Sequence, residues 1–174
     1  MKRLPRSFFA RDTHVVAKEL LGKLLVRNYR GQKIMARIME TEAYIGEDDL
    51  ASHARFGKTQ RNAVMYGEAG HAYVYFIYGM YNMLNIVTDK KEFPAAVLVR
   101  AAGKWNGPGK LTRAMHITRK LNGEDLITSK RLYLADDGFR VSKQNTKTSP
   151  RIGIPYAGEH AKLPWRYYLL KMGL

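Results

Sequence analysis

Apolar and polar residues alternate along this chain in several separate runs, each predicting a short strand or an amphipathic helix. Asp12 stands at an N-cap position, and the residues after it predict a helix to about Leu21, stopped by Gly22. Lys23–Tyr29 and Lys33–Tyr44 read as strands on either side of an Arg30-Gly31-Gln32 turn. In the second strand Ile34, Ala36, Ile38, Glu40, Glu42 and Tyr44 alternate onto one face. Two carboxylates should therefore follow the isoleucines onto the buried side. Short helices are predicted from Asp48 and from Thr59 to near Gly67. Ala72–Tyr78 and Tyr81–Val87 read as strands joined at a tight Tyr78-Gly79-Met80 tip, and Pro94–Ala101 as another. Gly107-Pro108-Gly109 should open a helix carrying Leu111, Ala114, Met115, Thr118 and Leu121 on one face. Short strands near Arg131–Ala135, Phe139–Ser142 and Arg151–Ile154, around an Asp137-Gly138 turn, complete the prediction.

The strands cluster without regular βαβ alternation, which predicts an α+β fold: a single compact domain over residues 1–174 with a mainly antiparallel sheet flanked by short helices. A length of 174 residues suits one domain, and 45% hydrophobic residues exclude disorder. With no cysteine, disulfides, thiolate catalysis and Cys-type metal sites are excluded. The basic N-terminus is followed by no long apolar run, so neither a signal peptide nor a membrane span is expected.

Thirty Lys and Arg against 15 Asp and Glu give a net charge of +15, which favours a polyanionic partner. The charge is unevenly placed: residues 1–46 carry 10 basic and 4 acidic groups, residues 47–100 carry 6 of each, and the remainder 14 and 5. A neutral middle suits an enzyme whose carboxylate and pocket sit within a positive field. A basic surface serving solubility alone is the simpler alternative.

Glu42, near the end of a buried strand, would be a carboxylate with reduced hydration and a raised proton affinity. A strand-end glutamate paired to an arginine is the competing reading, and Glu40 faces the same choice. Tyr73 and Tyr75 share a strand face, whereas Tyr78 lies at the hairpin tip, where packing does not explain a bulky side chain. In a basic protein such a tip suggests a wedge between base pairs, with a strand tyrosine stacking on an extruded base. His53, with Asp48 and Asp49, makes no convincing metal site, and no H-x-x-x-H spacing occurs. His53 reads as a hydrogen-bonding pocket residue or a satisfied core histidine. Lys58, Arg61 and Asn62 suit phosphate contacts, with Thr59 beside them, although a solvated loop would look the same. Gly109 and Lys110, in the turn before a helix, could equally offer amides and charge to an anion. No Walker motif or G-x-G-x-x-G is present, so no nucleotide cofactor is expected.

Several ordered blocks are similar to those of the alkyladenine (3-methyladenine) DNA glycosylases. They are Glu40-Thr41-Glu42-Ala43-Tyr44, Asp49 to His53, Tyr73 to Tyr81 with Asn85-Ile86, Val97 to Ala101, Gly107 to Leu111, and Arg151 to Ile154 with Tyr156 to Glu159. The resemblance covers nearly the whole chain. It implies that Glu42 is the general base activating water, and that Tyr44, His53 and Tyr75 wall the base pocket. It further implies that Tyr78 fills the gap left by a flipped nucleotide and that Asn85 screens the purine edge. Arg100, with a backbone carbonyl near Ile154, would help cradle the water. The family fold is a curved, mainly antiparallel sheet in one α+β domain. One departure is a shortened segment: only Ala101-Ala102-Gly103-Lys104-Trp105-Asn106 separates Arg100 from the Gly-Pro-Gly turn, where family members usually carry more.

The function so implied is hydrolysis of the bond between C1′ and an alkylated purine flipped from double-stranded DNA, without strand cleavage, metal or cofactor. A monomer is expected, soluble and not secreted, cytoplasmic and nucleoid-associated in a bacterium or nuclear in a eukaryote. A non-catalytic or RNA-directed nucleic-acid-binding domain is the alternative.

Overall fold

A computed structural model describes residues 1–170. In chain order the elements are β1 (Lys2–Arg3), α1 (Arg6–Phe9), α2 (Thr13–Glu19), β2 (Leu24–Tyr29), β3 (Gln32–Ile45), β4 (Ala72–Ile77), β5 (Tyr81–Val87) and β6 (Ala95–Ala102). Then follow β7 (Trp105–Asn106), α3 (Pro108–Ala114), β8 (Leu132–Asp136), β9 (Thr146–Ser149) and β10 (Arg166–Leu169). The strands form one sheet in which every pairing is antiparallel, in the order β1-β8-β2-β3-β6-β5-β4. β10 continues the β2 side of β3 and carries β9 on its outer edge; β7 pairs back on β6. The fold is α+β, as the sequence predicts.

Asp12 caps α2 through its side chain, which accepts the Val15 N–H at 3.0 Å, so this helix forms where the sequence places it. The first two strands and the β4–β5 hairpin also match the prediction to within a residue or two. One face of the sheet buries Ile38, Val97, Val99, Leu84 and Ile86 against Val16 and Leu20 of α2 and Leu111 and Met115 at α3.

The alternation along β3 breaks in the middle. Ile38 pairs with Ala102, Glu40 with Ala101 and Thr41 with Val99, so one extra residue on β3 (Met39) is followed by one on β6 (Arg100). Across this double bulge both strands exchange faces. Ala36 and Ile38 belong to the main core, but so does Ala43, and the Thr41 hydroxyl donates to the Ala17 carbonyl of α2 at 2.8 Å. Glu40, Glu42 and Tyr44 therefore lie on the face opposite Ile38, contrary to the simple period-two reading. Glu42 is buried nonetheless, because loops cover that second face.

Other predictions are corrected. Asp48 starts no helix: residues 46–56 form turns, because the Asp49 side chain is committed to tertiary contacts. Thr59 and Asn62 bond to one another in a turn that leads only to a short 3₁₀ helix, Ala63–Tyr66. The helix after Gly107 ends at Ala114 because His116 takes a left-handed φ of 50°, so Thr118 and Leu121 lie outside α3. Residues 139–142 and 151–154 are not strands. Val141 and Ile154 pack from irregular backbone while Ile152 is exposed, and the pairing partners are instead β9 and β10. β10 was legible as Tyr167 and Leu169 inward, alternating with Arg166 and Tyr168.

Candidate active site

On the second face a cavity of about 230 Å³ opens between β3–β6 and the loops at 51–56 and 152–156. That is small beside the ~300–1,000 Å³ of sites for drug-sized ligands. Its walls are largely aromatic: Tyr44, Tyr73, Tyr75, Tyr156 and the imidazole of His53. The strand period explains the set, since Tyr73 and Tyr75 leave β4 on the side opposite Val74, a main-core residue.

Glu42 lies directly behind this wall, fully buried, and its three partners all line the cavity. Oε1 accepts the backbone N–H of Ile152 at 2.8 Å and faces Arg100 Nη1 at 3.3 Å. Oε2 accepts the Tyr44 hydroxyl at 2.8 Å. A carboxylate offers about four acceptor positions, so three are filled and one remains. Loss of hydration pushes the Glu42 carboxyl above its ordinary range, while Arg100, the Ile152 amide and Tyr44 pull it back only in part. Arg100 makes its closer bond to Glu40, where Nε donates at 2.9 Å, and Arg166 Nη1 reaches the same oxygen at 2.9 Å. Glu40 is thus the structural partner of two arginines, and it leaves the flank of the Arg100 guanidinium to Glu42.

His53 bonds through Nδ1 to the Tyr73 hydroxyl at 2.8 Å and stands edge-on to Tyr75, with ring centroids 4.4 Å apart. Burial, with Arg61 and Arg55 nearby, lowers its pKa to about 4, so the imidazole is neutral at pH 7. Asn85, on β5, is buried at the cavity and donates to the Tyr73 carbonyl at 3.2 Å. At the mouth Tyr78 is 71% exposed. It holds a left-handed φ of 54° and Gly79 one of 66°, the requirement of a type I′ hairpin turn, which the Met80 N–H closes onto the Ile77 carbonyl at 3.2 Å.

The chain matches the methylpurine-DNA glycosylase family over residues 7–172. It belongs to that family. A methylpurine-DNA glycosylase is a hydrolase of the N-glycosidic bond with DNA as substrate. Full-length relatives agree. A protein of Methanocella arvoryzae is 52% identical, covering 97% of this chain and 92% of its own. Others, from Desulfitobacterium hafniense and Legionella pneumophila, are 45% and 44% identical, covering 97% of this chain and 96% and 95% of theirs. All three carry the name "Putative 3-methyladenine DNA glycosylase".

In this glycosylase the fold brings Glu42, Arg100, Tyr44, His53, Tyr75, Asn85 and Tyr78 to a single cavity or its immediate wall. The cationic positions lie further out. Arg61 rests over the Tyr75 ring at 5.7 Å, Lys58 pairs with Glu92 at 3.3 Å, and Thr59 sits in the turn that Asn62 closes. Lys110 is exposed, whereas Gly109 is buried under Tyr81, whose Cδ1 a Cβ there would meet at 2.4 Å. Asn62 is no phosphate ligand: it is buried, and its amide donates to the carbonyls of His53 and Gly57, both at 2.9 Å. It fixes the loop that presents His53. The shortened segment after Arg100 forms the Ala102–Trp105 hairpin onto β7.

Two residues that hold the site together were not singled out from sequence. Arg151 and Asp49, both buried, form a two-pronged ion pair at 2.6 and 2.8 Å. Arg151 also donates to the Ala43 carbonyl at 2.8 Å and lies over the Tyr44 ring at 4.7 Å. The pair ties the loop at residue 152 to β3, which brings the Ile152 amide to Glu42. The motif Arg151-Ile152 was visible, but the pairing of a distant Asp with it was not. Among the described residues no three His, Asp or Glu side chains are grouped to hold a metal ion, and no helix is long and apolar enough to cross a membrane.

Proposed function

We propose that this chain is a monofunctional DNA glycosylase that flips 3-methyladenine and related alkylated purines out of duplex DNA and releases them by hydrolysis. The observation that carries this reading is a dehydrated carboxylate, Glu42, behind an aromatic cavity of base size and held by Arg100, Tyr44 and the Ile152 amide.

Cleavage of the bond between C1′ and a purine builds positive charge on the sugar. The Glu42 carboxylate stabilises that charge and accepts a proton from the attacking water at its remaining acceptor position. Hydrolysis adds that water across the bond: its oxygen ends on C1′, and the electron pair of the broken bond leaves with the purine. Arg100 orients the pair. A purine methylated at a ring nitrogen is cationic and departs without an acid. Stacking on electron-rich tyrosine faces favours a cationic ring over a neutral one. A neutral His53 suits this, because an imidazolium there would repel the base. Tyr78 occupies the gap left by the extruded nucleotide, and Asn85 borders the purine edge. Lys58, Thr59, Arg61, Gly109 and Lys110 are the proposed contacts to the DNA backbone. The reading of the enzyme as monofunctional is supported by the lining, in which no lysine among the described residues stands to form a Schiff base. The whole chain is read as one domain acting as a monomer inside the cell.

The test is incubation with methylated duplex DNA in the presence of borohydride. Free 3-methyladenine with an unbroken backbone and no covalent adduct is expected. A trapped protein–DNA adduct or a nicked strand would overturn the monofunctional reading.

A further inference from the structure

A second cavity, of about 430 Å³, lies on the other side of β5 from the aromatic one. Chain neighbours divide between the two: Tyr78, Met83 and Pro108 line the first, while Met80, Asn82 and Gly109 line the second. Among the described residues no acidic one lines the second cavity, but Arg27, Arg113, Lys120 and Arg131 do.

Arg27 is only 7% exposed. Its guanidinium donates to the carbonyls of Asn28 at 2.8 Å, Arg131 at 3.1 Å and His116 at 3.3 and 3.4 Å, and pairs with no carboxylate among the described residues. Carbonyl dipoles offset part of the cost of burying this cation, yet the full positive charge stays in place. His116 turns its carbonyl to Arg27 by holding a left-handed φ of 50°, an unfavourable conformation for a side-chain-bearing residue. Its ring stacks on Tyr29 at 4.2 Å and 15°, making a flat wall beside the guanidinium. Glu124 forms its ion pair with Arg131 and acts on Arg27 only through space, without a hydrogen bond to it among the described residues. Arg113 and Lys120, both exposed, form no ion pair among the described residues. The Asn82 side-chain Oδ1 accepts the Arg119 N–H at 3.2 Å, and its NH2 group donates to no partner among the described residues. Four cations, with the one carboxylate of Glu124 near two of them, and an amide thus face one recess. An architecture that served packing alone would not leave such an excess.

We propose that this cavity is a phosphate site, with Arg27 as its buried charge and Arg113 and Lys120 as its outer contacts. Several N–H donors converging with more than one positive charge suit the multiple acceptor oxygens of a phosphate group. That group can belong to a DNA backbone passing beside the β4–β5 tip or to a free phosphate. The first source rests on the glycosylase reading; the second does not.

The test uses the double variant Arg113→Ala/Lys120→Ala, whose positions are exposed, with Lys90→Ala/Lys91→Ala as a control of equal charge loss. Melting is followed in inorganic phosphate against chloride at equal ionic strength. Affinity for undamaged duplex DNA is followed against salt concentration. A phosphate-specific rise in Tm that the double variant loses and the control keeps supports the site. A slope of log K against log salt that falls by about 0.9 per lost contact, beyond the control, assigns the phosphate to DNA. A lost Tm response with an unchanged slope assigns it to free phosphate. No phosphate-specific rise together with equal slopes in both variants would overturn the proposal. Base release from methylated DNA, measured alongside, reports separately on the glycosylase reading.

Discussion

The Tyr44 hydroxyl donates to Glu42 Oε2 at 2.8 Å from a position two residues along the same strand face. Burial and the neighbouring carboxylate push the Tyr44 phenol well above its ordinary range, so it remains a donor at every working pH. It therefore favours the ionised form of a carboxylate that desolvation drives toward neutrality. The acid limb of the pH–rate profile for base release should lie above the usual glutamate value. Tyr44→Phe should move it higher still and lower the rate at neutral pH. An unmoved limb in that variant would show that Glu42 does not set it.

The same desolvation makes Glu42 a cost to the fold. A carboxyl whose folded pKa is raised gives its full stability only below the ordinary value of 4.5 and loses it as pH rises through the folded pKa. Glu42→Gln should thus melt higher than the parent at pH 7, and the gap should narrow as both side chains become neutral near pH 4. Melting curves over pH 4–8 check this; a less stable variant at pH 7 contradicts it.

His53 acts in the opposite sense. Its folded pKa, about 4, lies below the unfolded value of 6.5, so its contribution is complete above pH 6.5 and is lost as pH falls toward 4. The full loss is on the order of 3 kcal/mol. His53→Gln should flatten the stability profile across that window, as denaturant titrations at pH 7 and pH 4.5 would reveal.

Tyr78 is an exposed residue with backbone strain. Replacing it with Gly removes the ring and relieves the left-handed φ while loosening the unfolded chain, so the two effects oppose and stability should change by less than about 1 kcal/mol. Affinity for lesion-bearing duplex should fall, since stacking on a base is worth about 1–3 kcal/mol. A variant that unfolds would assign Tyr78 to packing instead.

The Asp49–Arg151 pair is fully buried. Asp49→Asn leaves a buried guanidinium without its counter-charge and should destabilise by about 3–5 kcal/mol. Base release should fall further than the folded fraction does, because the Ile152 amide loses its anchor. Activity that merely tracks the folded fraction would make the pair structural only.

Much of this site was readable from residues alone, and the exceptions have a common cause. Period-two alternation placed Tyr73 and Tyr75 together and Tyr78 at a tip, because hairpin geometry is local. It put Glu42 on the face of Ile38, because a bulge at Met39 and Arg100 leaves no mark in composition. Asp49 gave no sign of its role, because its partner Arg151 lies 102 positions away. Asn62 looked like a phosphate contact until two buried carbonyls used up its amide. Local signals fix strands and turns; pairings between distant polar groups follow only from the assembled fold. Arg27 is the extreme case, since an arginine in a strand gives no sign that it will be buried against backbone carbonyls, with no carboxylate bonded to it among the described residues.

The central claim is tested most directly by Glu42→Gln, assayed for release of free 3-methyladenine from methylated duplex DNA beside a binding measurement on the same duplex. The shape and most hydrogen bonds of the side chain are kept while its charge and proton acceptance are lost. Base release should fall by at least about 100-fold, the scale of a lost general base, with binding retained. Base release near the parent rate would contradict the assignment of Glu42 and, with it, the account of how this cavity works.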